Sequence, residues 1–111
     1  MARFNAAGLS MQADHPLVIA GRTVHLDGFD PHRKVGFEYI TTEAGDREEI
    51  TEEVVLELES RMGRGDLYVL LVDEREVSSA ATLERAADHF LRVASARLGF
   101  ELAESFGESG K

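Results

Sequence analysis

The stretch from Thr23 to Thr42 limits the fold more than any other part of the chain. Residues 23–28 alternate apolar and polar, with Val24 and Leu26 on one face and His25 and Asp27 on the other. Asp30-Pro31 is a reversal signal, because proline presets a turn φ and the aspartate can hydrogen-bond nearby backbone. Residues 35–41 then supply β-branched and aromatic side chains suited to a pleated surface. Two strands joined by a polar loop therefore stand at the centre of the chain.

The flanking sequence extends this unit in both directions. Pro16 biases His15 away from the helical region, so an extended segment starts there. Residues 17–20 form a short apolar strand, and Gly21-Arg22 makes a two-residue hairpin turn with glycine first. An antiparallel meander results. Residues 1–14 are mixed and Gly8 interrupts any helix; either Phe4, Leu9 and Met11 dock on the core through one short helical turn, or the segment is flexible.

Downstream, Asp46 and Glu49 make a capping-box-like start for a helix over residues 47–62. Ile50, Val54, Leu58 and Met62 form its apolar stripe, which Val55 widens. Glu48, Glu52, Glu53, Glu57 and Glu59 form the solvated side, and Gly63-Arg64-Gly65 ends the helix. Residues 67–72 are a continuous apolar run, the pattern of a central parallel strand buried on both faces. This strand is expected beside the third strand or one position away. Ser78 or Ser79 caps a second helix, and Leu83, Ala87, Phe90, Leu91, Ala94 and Leu98 turn toward a sheet face until Gly99. Residues 100–102 add a short edge strand or one more helical turn, and residues 104–111 are expected to be a disordered tail. The fold class is therefore α/β (α+β-like), a single domain over residues 15–103. It has a small mixed sheet of about four strands, two main helices and the order β-β-β-α-β-α.

Charge narrows the function classes. The 111 residues hold 12 basic and 21 acidic side chains, for a net charge of −9. Residues 46–62 alone hold seven of the acidic ones against two basic. A duplex-binding protein presents a clustered cationic face, because phosphate neutralisation dominates affinity. Here only Arg22, Arg33 and Lys34 gather near the hairpin, which disfavours nucleic acid as a partner. The absence of cysteine removes disulfides and thiolate metal sites and suits a reducing cytoplasm. No window approaches the length of an apolar membrane span, and no apolar signal segment follows Arg3.

Chemically suggestive residues gather at the central unit: His25, Asp27, Asp30 and Glu38. Leu-Asp-Gly-Phe-Asp-Pro at residues 26–31 and Gly-Phe-Glu-Tyr-Ile at residues 36–40 set acidic groups on successive strands ahead of a helix and a strand. Over residues 16–73 this resembles the core of the PD-(D/E)xK nuclease-like superfamily, with its restriction endonuclease-like fold. The resemblance implies a divalent-metal-dependent phosphodiesterase in which Asp27 (or Asp30) and Glu38 hold Mg²⁺ or Mn²⁺. It also calls for a lysine two residues after the second carboxylate, where Ile40 stands. An apolar side chain neither orients a water nor neutralises a phosphorane, and Lys34 lies four residues before Glu38, toward the loop end.

The same residues allow a second grouping. His25 and Asp27 are i, i+2 neighbours, and Glu38 or His32 approaching across the hairpin would complete a ligand set for zinc or a transition metal. The alternative for His25 and Asp27 is the solvated face of an amphipathic strand. Glu38 is open in the same way, because it shares with Gly36 and Ile40 a face that meets either solvent or a covering helix. Gly36 leaves room there for a close backbone or ligand approach. His15 and His89 stand alone, and no phosphate loop or nucleophile elbow is present.

The expected function is a non-catalytic protein-interaction module. Glu52, Glu53 and Glu57 offer a basic partner a complementary acidic face, as in an immunity- or antitoxin-like inhibitor or a regulatory domain. No cofactor is expected. If both helices cover one sheet face, the open face has spare apolar area, and a homodimer is the expected use of it.

Overall fold

A computed structural model describes residues 2–41, 49–77 and 79–103. The strands are β1 (Gln12–Ile19), β2 (Arg22–Asp30), β3 (Val35–Ile40) and β4 (Tyr68–Asp73). The helices are α1 (Ala2–Ala6), α2 (Glu52–Gly63) and α3 (Ala80–Leu98), and a short 3-10 turn, Glu74–Glu76, follows β4. The sheet order is β1-β2-β3-β4, with antiparallel pairing from β1 to β3 and parallel pairing between β3 and β4. The α/β class, the mixed four-stranded sheet and the order β-β-β-α-β-α are those the sequence dictates, with a short N-terminal helix added.

Local details depart from the sequence pattern for physical reasons. The first hairpin turns at Ala20-Gly21, because Ile19 pairs with Arg22 and both turn residues take positive φ (53° and 75°). That is the primed turn whose twist matches a hairpin. Helix α2 begins at Glu52, where extended Thr51 accepts the Val54 N–H at 3.3 Å. Asp46 and Arg47 of the expected start lie outside the described residues, as do Ser78 and residues 104–111. The helix closes on Gly65, at φ +76°, with its N–H bonded to the Met62 carbonyl and the Asp66 N–H to that of Arg61. Ser79 caps α3, and Gly99 ends it in the left-handed region. Residues 100–103 form neither strand nor helix; the Ala103 N–H donates to the Ala7 carbonyl at 2.9 Å.

Two larger differences bear on function. First, β4 is parallel to β3 but lies at the edge of the sheet. Helices on both faces still bury Tyr68 and Val69, which explains the apolar run without a further strand beside it among the described residues. Second, the helices do not share a face. Val54 and Leu58 of α2 pack with Ile19, Val24, Leu26, Phe29 and Val69 on one side. Ala87, Leu91 and Ala94 of α3 pack with Phe4, Ala7, Leu9, Val35 and Tyr68 on the other. Phe4 sits among aromatic rings, 4.9 Å from Phe37 and 6.1 Å from Phe90 between centroids, so the N-terminal segment belongs to this core. The open sheet face that self-association was expected to use is therefore covered.

Candidate functional site

The candidate residues lie where β2 and β3 part, and a kink prepares that point. Leu26 and Phe29 are three residues apart yet pack into the same cluster under α2. Regular alternation would put them on opposite faces. The break falls at Asp27-Gly28, and on β1 the residue opposite, Asp14, takes φ +51°. Both strands thus switch faces together. Gly36 is required by the same kink: a Cβ there would lie 2.6 Å from a Phe29 ring carbon and 2.7 Å from the Gly28 carbonyl oxygen. The room that Gly36 leaves is filled by Phe29 and backbone.

Backbone pairing between β2 and β3 covers Asp30↔Val35, Phe29↔Gly36 and Gly28↔Phe37. Beyond it the two carboxylates take over. The Asp27 N–H donates to Glu38 Oε1 at 2.9 Å, and the Tyr39 N–H donates to Asp27 Oδ2 at 2.8 Å. Each side chain thus stands in for the carbonyl that the diverging partner strand no longer offers. Glu38 is 1% exposed, on the face that α2 covers, which decides between helix and solvent for that face. Asp27 is exposed.

The other candidates are held elsewhere. The His25 N–H donates to the Glu49 carboxylate, and the His25 ring Nδ1 lies 3.6 Å from Glu49 Oε2. Asp30, 2% exposed, organises the β2–β3 turn: Oδ1 accepts the N–H groups of His32 and Arg33, and Oδ2 accepts that of Ser10. Burial alone pushes its carboxyl upward, but those N–H groups and the charge of Arg33 more than reverse this and hold it below the usual carboxylate value. The His32 and Lys34 side chains lie at this turn, beside Arg33, whose guanidinium sits 5.2 Å from the Phe100 ring centroid.

Of the predicted site residues, then, the fold brings Asp27 and Glu38 together and sets His25 and Asp30 to other tasks. Among the described residues no three His, Asp or Glu side chains converge as metal ligands. Glu38 is 1% exposed, and its Oε1 is engaged by the Asp27 N–H. Ile40, at the position of the expected lysine, packs against the α2-side cluster. Asp27 and Glu38 each accept a backbone N–H of the neighbouring strand.

Helix α2 carries the remaining candidates. Glu52 and Glu53 are exposed in its first turn. Glu57 is partly buried and engaged, with Oε2 3.1 Å from Arg61 Nε and 3.8 Å from Arg64 Nη2. Between them Leu56 stands 59% exposed, with exposed Glu59 one turn on. Leu56 is not among the residues the apolar stripe singles out. Its signal is a leucine out of phase with Val54 and Leu58, flanked by acidic residues.

Comparison with protein families, curated proteins and solved structures finds no match to this chain.

Proposed function

We propose that the chain is a non-catalytic protein-interaction module whose outer α2 face docks on a basic partner surface. The observation that carries this reading is Leu56, a large apolar side chain 59% exposed on an otherwise acidic helix face. Glu52, Leu56 and Glu59 follow i, i+4, i+7 spacing and Glu53 lies beside them, so they share one side of the helix. A single apolar side chain set among acidic ones adds buried area to a contact that the charges orient. The acidic ring steers a cationic partner and sets orientation, while Leu56 supplies burial once water is expelled. An immunity- or antitoxin-like inhibitor that masks a nucleic-acid-binding surface works in this way.

The test separates anchor from ring. Leu56→Asp removes the apolar contact, and Glu52→Lys with Glu53→Lys reverses the field, both at exposed positions where circular dichroism should be unchanged. Affinity capture with each variant is compared with the parent across a salt series. The proposal expects basic proteins on the parent, a loss of binding on Leu56→Asp, and a loss of salt dependence on the charge-reversed chain. An identical set of bound proteins on all three chains removes α2 from consideration.

A further inference from the structure

On a chain of net charge −9, basic side chains from two distant segments meet at the C-terminal end of α2. Arg61 and Arg64 come from the helix end, and Lys34 comes from the β2–β3 turn. Together they border a hollow of about 420 Å³ on the α2 side of the sheet. The helix dipole accounts for cations at the end of α2, but it does not account for Lys34. That residue takes φ +62°, a region where glycine or asparagine is less strained. Its backbone is fixed on both sides. The Lys34 N–H donates to the Asp30 carbonyl at 2.7 Å, and the Lys34 carbonyl accepts the Tyr68 N–H at 2.9 Å. The turn therefore sets an ammonium beside the hollow at a conformational cost.

The cations are only partly satisfied within the chain. Glu57 Oε2 lies 3.1 Å from Arg61 Nε, and Asp66 Oδ2 lies 3.0 Å from Arg64 Nε. Arg64 Nη1 donates to Ser60 Oγ at 2.9 Å. Among the described residues, the Lys34 ammonium and the Arg61 Nη groups have no hydrogen-bond partner. Asp30 and Arg33, at the same turn, offset each other. Three cations against two carboxylates thus leave one positive charge at the hollow. Another wall is apolar. Half-buried Leu17 and exposed Pro31 line it, and the His15 ring, stacked on Phe29 with centroids 5.1 Å apart, adds a flat surface.

We propose that this hollow binds a small organic carboxylate, its charge toward Lys34 and Arg61 and a flat apolar body against His15, Leu17 and Pro31. A single negative charge matches the one positive charge left over. The carboxylate can take a guanidinium as a fork and a lysine as a point charge. The volume is larger than a bare inorganic anion needs, and small-molecule sites run about 300–1,000 Å³. A nucleic-acid backbone needs a longer cationic face than one interrupted by Glu57 and Asp66. The hollow uses none of Glu52, Glu53, Leu56 and Glu59, so it stands or falls separately from docking at the outer face of α2.

A heteronuclear NMR titration of the full chain at neutral pH and low salt tests the site. Phenylacetate is the probe, with acetate, benzyl alcohol and phenyl phosphate beside it. Phenylacetate should saturate and shift the amides of Leu17, Lys34 and Leu67 together with the Arg61 Nε–H. Acetate lacks the apolar body and benzyl alcohol lacks the charge, so each should bind about tenfold more weakly or worse, and phenyl phosphate no tighter. Lys34→Gly removes the ammonium and relieves the strained φ. Its melting temperature should hold or rise while its affinity for phenylacetate falls about tenfold. Arg85→Gln, exposed on α3 across the sheet, should bind as the parent does. No saturation, shifts confined to other residues, or full affinity in Lys34→Gly each overturns the proposal. So does acetate binding as well as phenylacetate, which means an adventitious ion only, or phenyl phosphate binding tighter, which assigns the hollow to phosphate esters.

Discussion

Glu38 holds β2 to β3 where the backbone ladder ends, and its neutral and truncated forms should behave differently. Glu38→Gln keeps an oxygen for the Asp27 N–H and is expected to stay within about 1 kcal/mol of the parent in urea unfolding. Glu38→Ala leaves that donor without an acceptor and opens a cavity, for a loss of about 2–4 kcal/mol. Equal losses in both variants would mean that the acceptor role is wrong. Added Mn²⁺ or Mg²⁺ should leave the melting temperature of the parent and of Asp27→Asn unchanged. Since a site filled at 100 times its Kd adds about 2.7 kcal/mol, a rise in the parent alone would restore the cation reading. Asp30 governs the acid limb of stability. Its folded pKa is lowered, so its contribution is fully present above the unfolded carboxylate value near pH 4 and is lost as pH falls through the folded value. Asp30→Asn should flatten the fall in melting temperature on acidification, and an unchanged acid profile would remove Asp30 from the account. At this scale the sequence points to the right neighbourhood. Asp27 and Glu38 meet because their strands are adjacent, and the turn role of Asp30 is legible in Asp30-Pro31. The pairing of His25 with Glu49 is not legible, because it depends on where the chain returns ahead of α2.

At the scale of elements, the kink shared by β1 and β2 leaves no space for a side chain at Gly36. Gly36→Ala presses a methyl group into the Phe29 ring and the Gly28 carbonyl, and the carbonyl is backbone and has little freedom to retreat. A loss of about 3 kcal/mol or more is expected from thermal unfolding. Gly65→Ala meets open space and is strained only by its φ of +76°, so about 1 kcal/mol is expected. A reversed order of these two losses would contradict the kink. Strand and helix identities follow from hydrophobic period, which is why β2, β3, α2 and α3 appear near their expected positions. Boundaries follow from single hydrogen bonds that the period does not encode. Thr51 takes the α2 cap because its extended backbone brings Oγ1 to the Val54 N–H. The edge position of β4 is hidden for another reason: an apolar run reports that both faces are covered, not how many neighbours the strand has.

At the scale of the molecule, helices cover both faces of the sheet, α2 on one and α3 with α1 on the other. The amphipathic stripes of α2 and α3 show that each helix covers a sheet, but nothing in their spacing assigns them to the same or opposite sides; the crossover from β3 to β4 decides that. The N-terminal segment is also part of the whole. Arg3 Nε lies 2.7 Å from Asp88 Oδ1 on α3, and Phe4 fills the space between Phe37 and Phe90. Phe4→Ala should cost about 3–5 kcal/mol, and a loss below about 1 kcal/mol in urea unfolding would detach α1 from the core. The hydrogen bond from the Ala103 N–H to the Ala7 carbonyl joins the two ends of the described fold side by side. The order in which the elements are synthesised is therefore separable from the arrangement they reach. A short linker between these ends, with a new opening at the exposed Ala20-Gly21 turn, yields a circular permutant that keeps both cores and changes only the sequence distance between contacting elements.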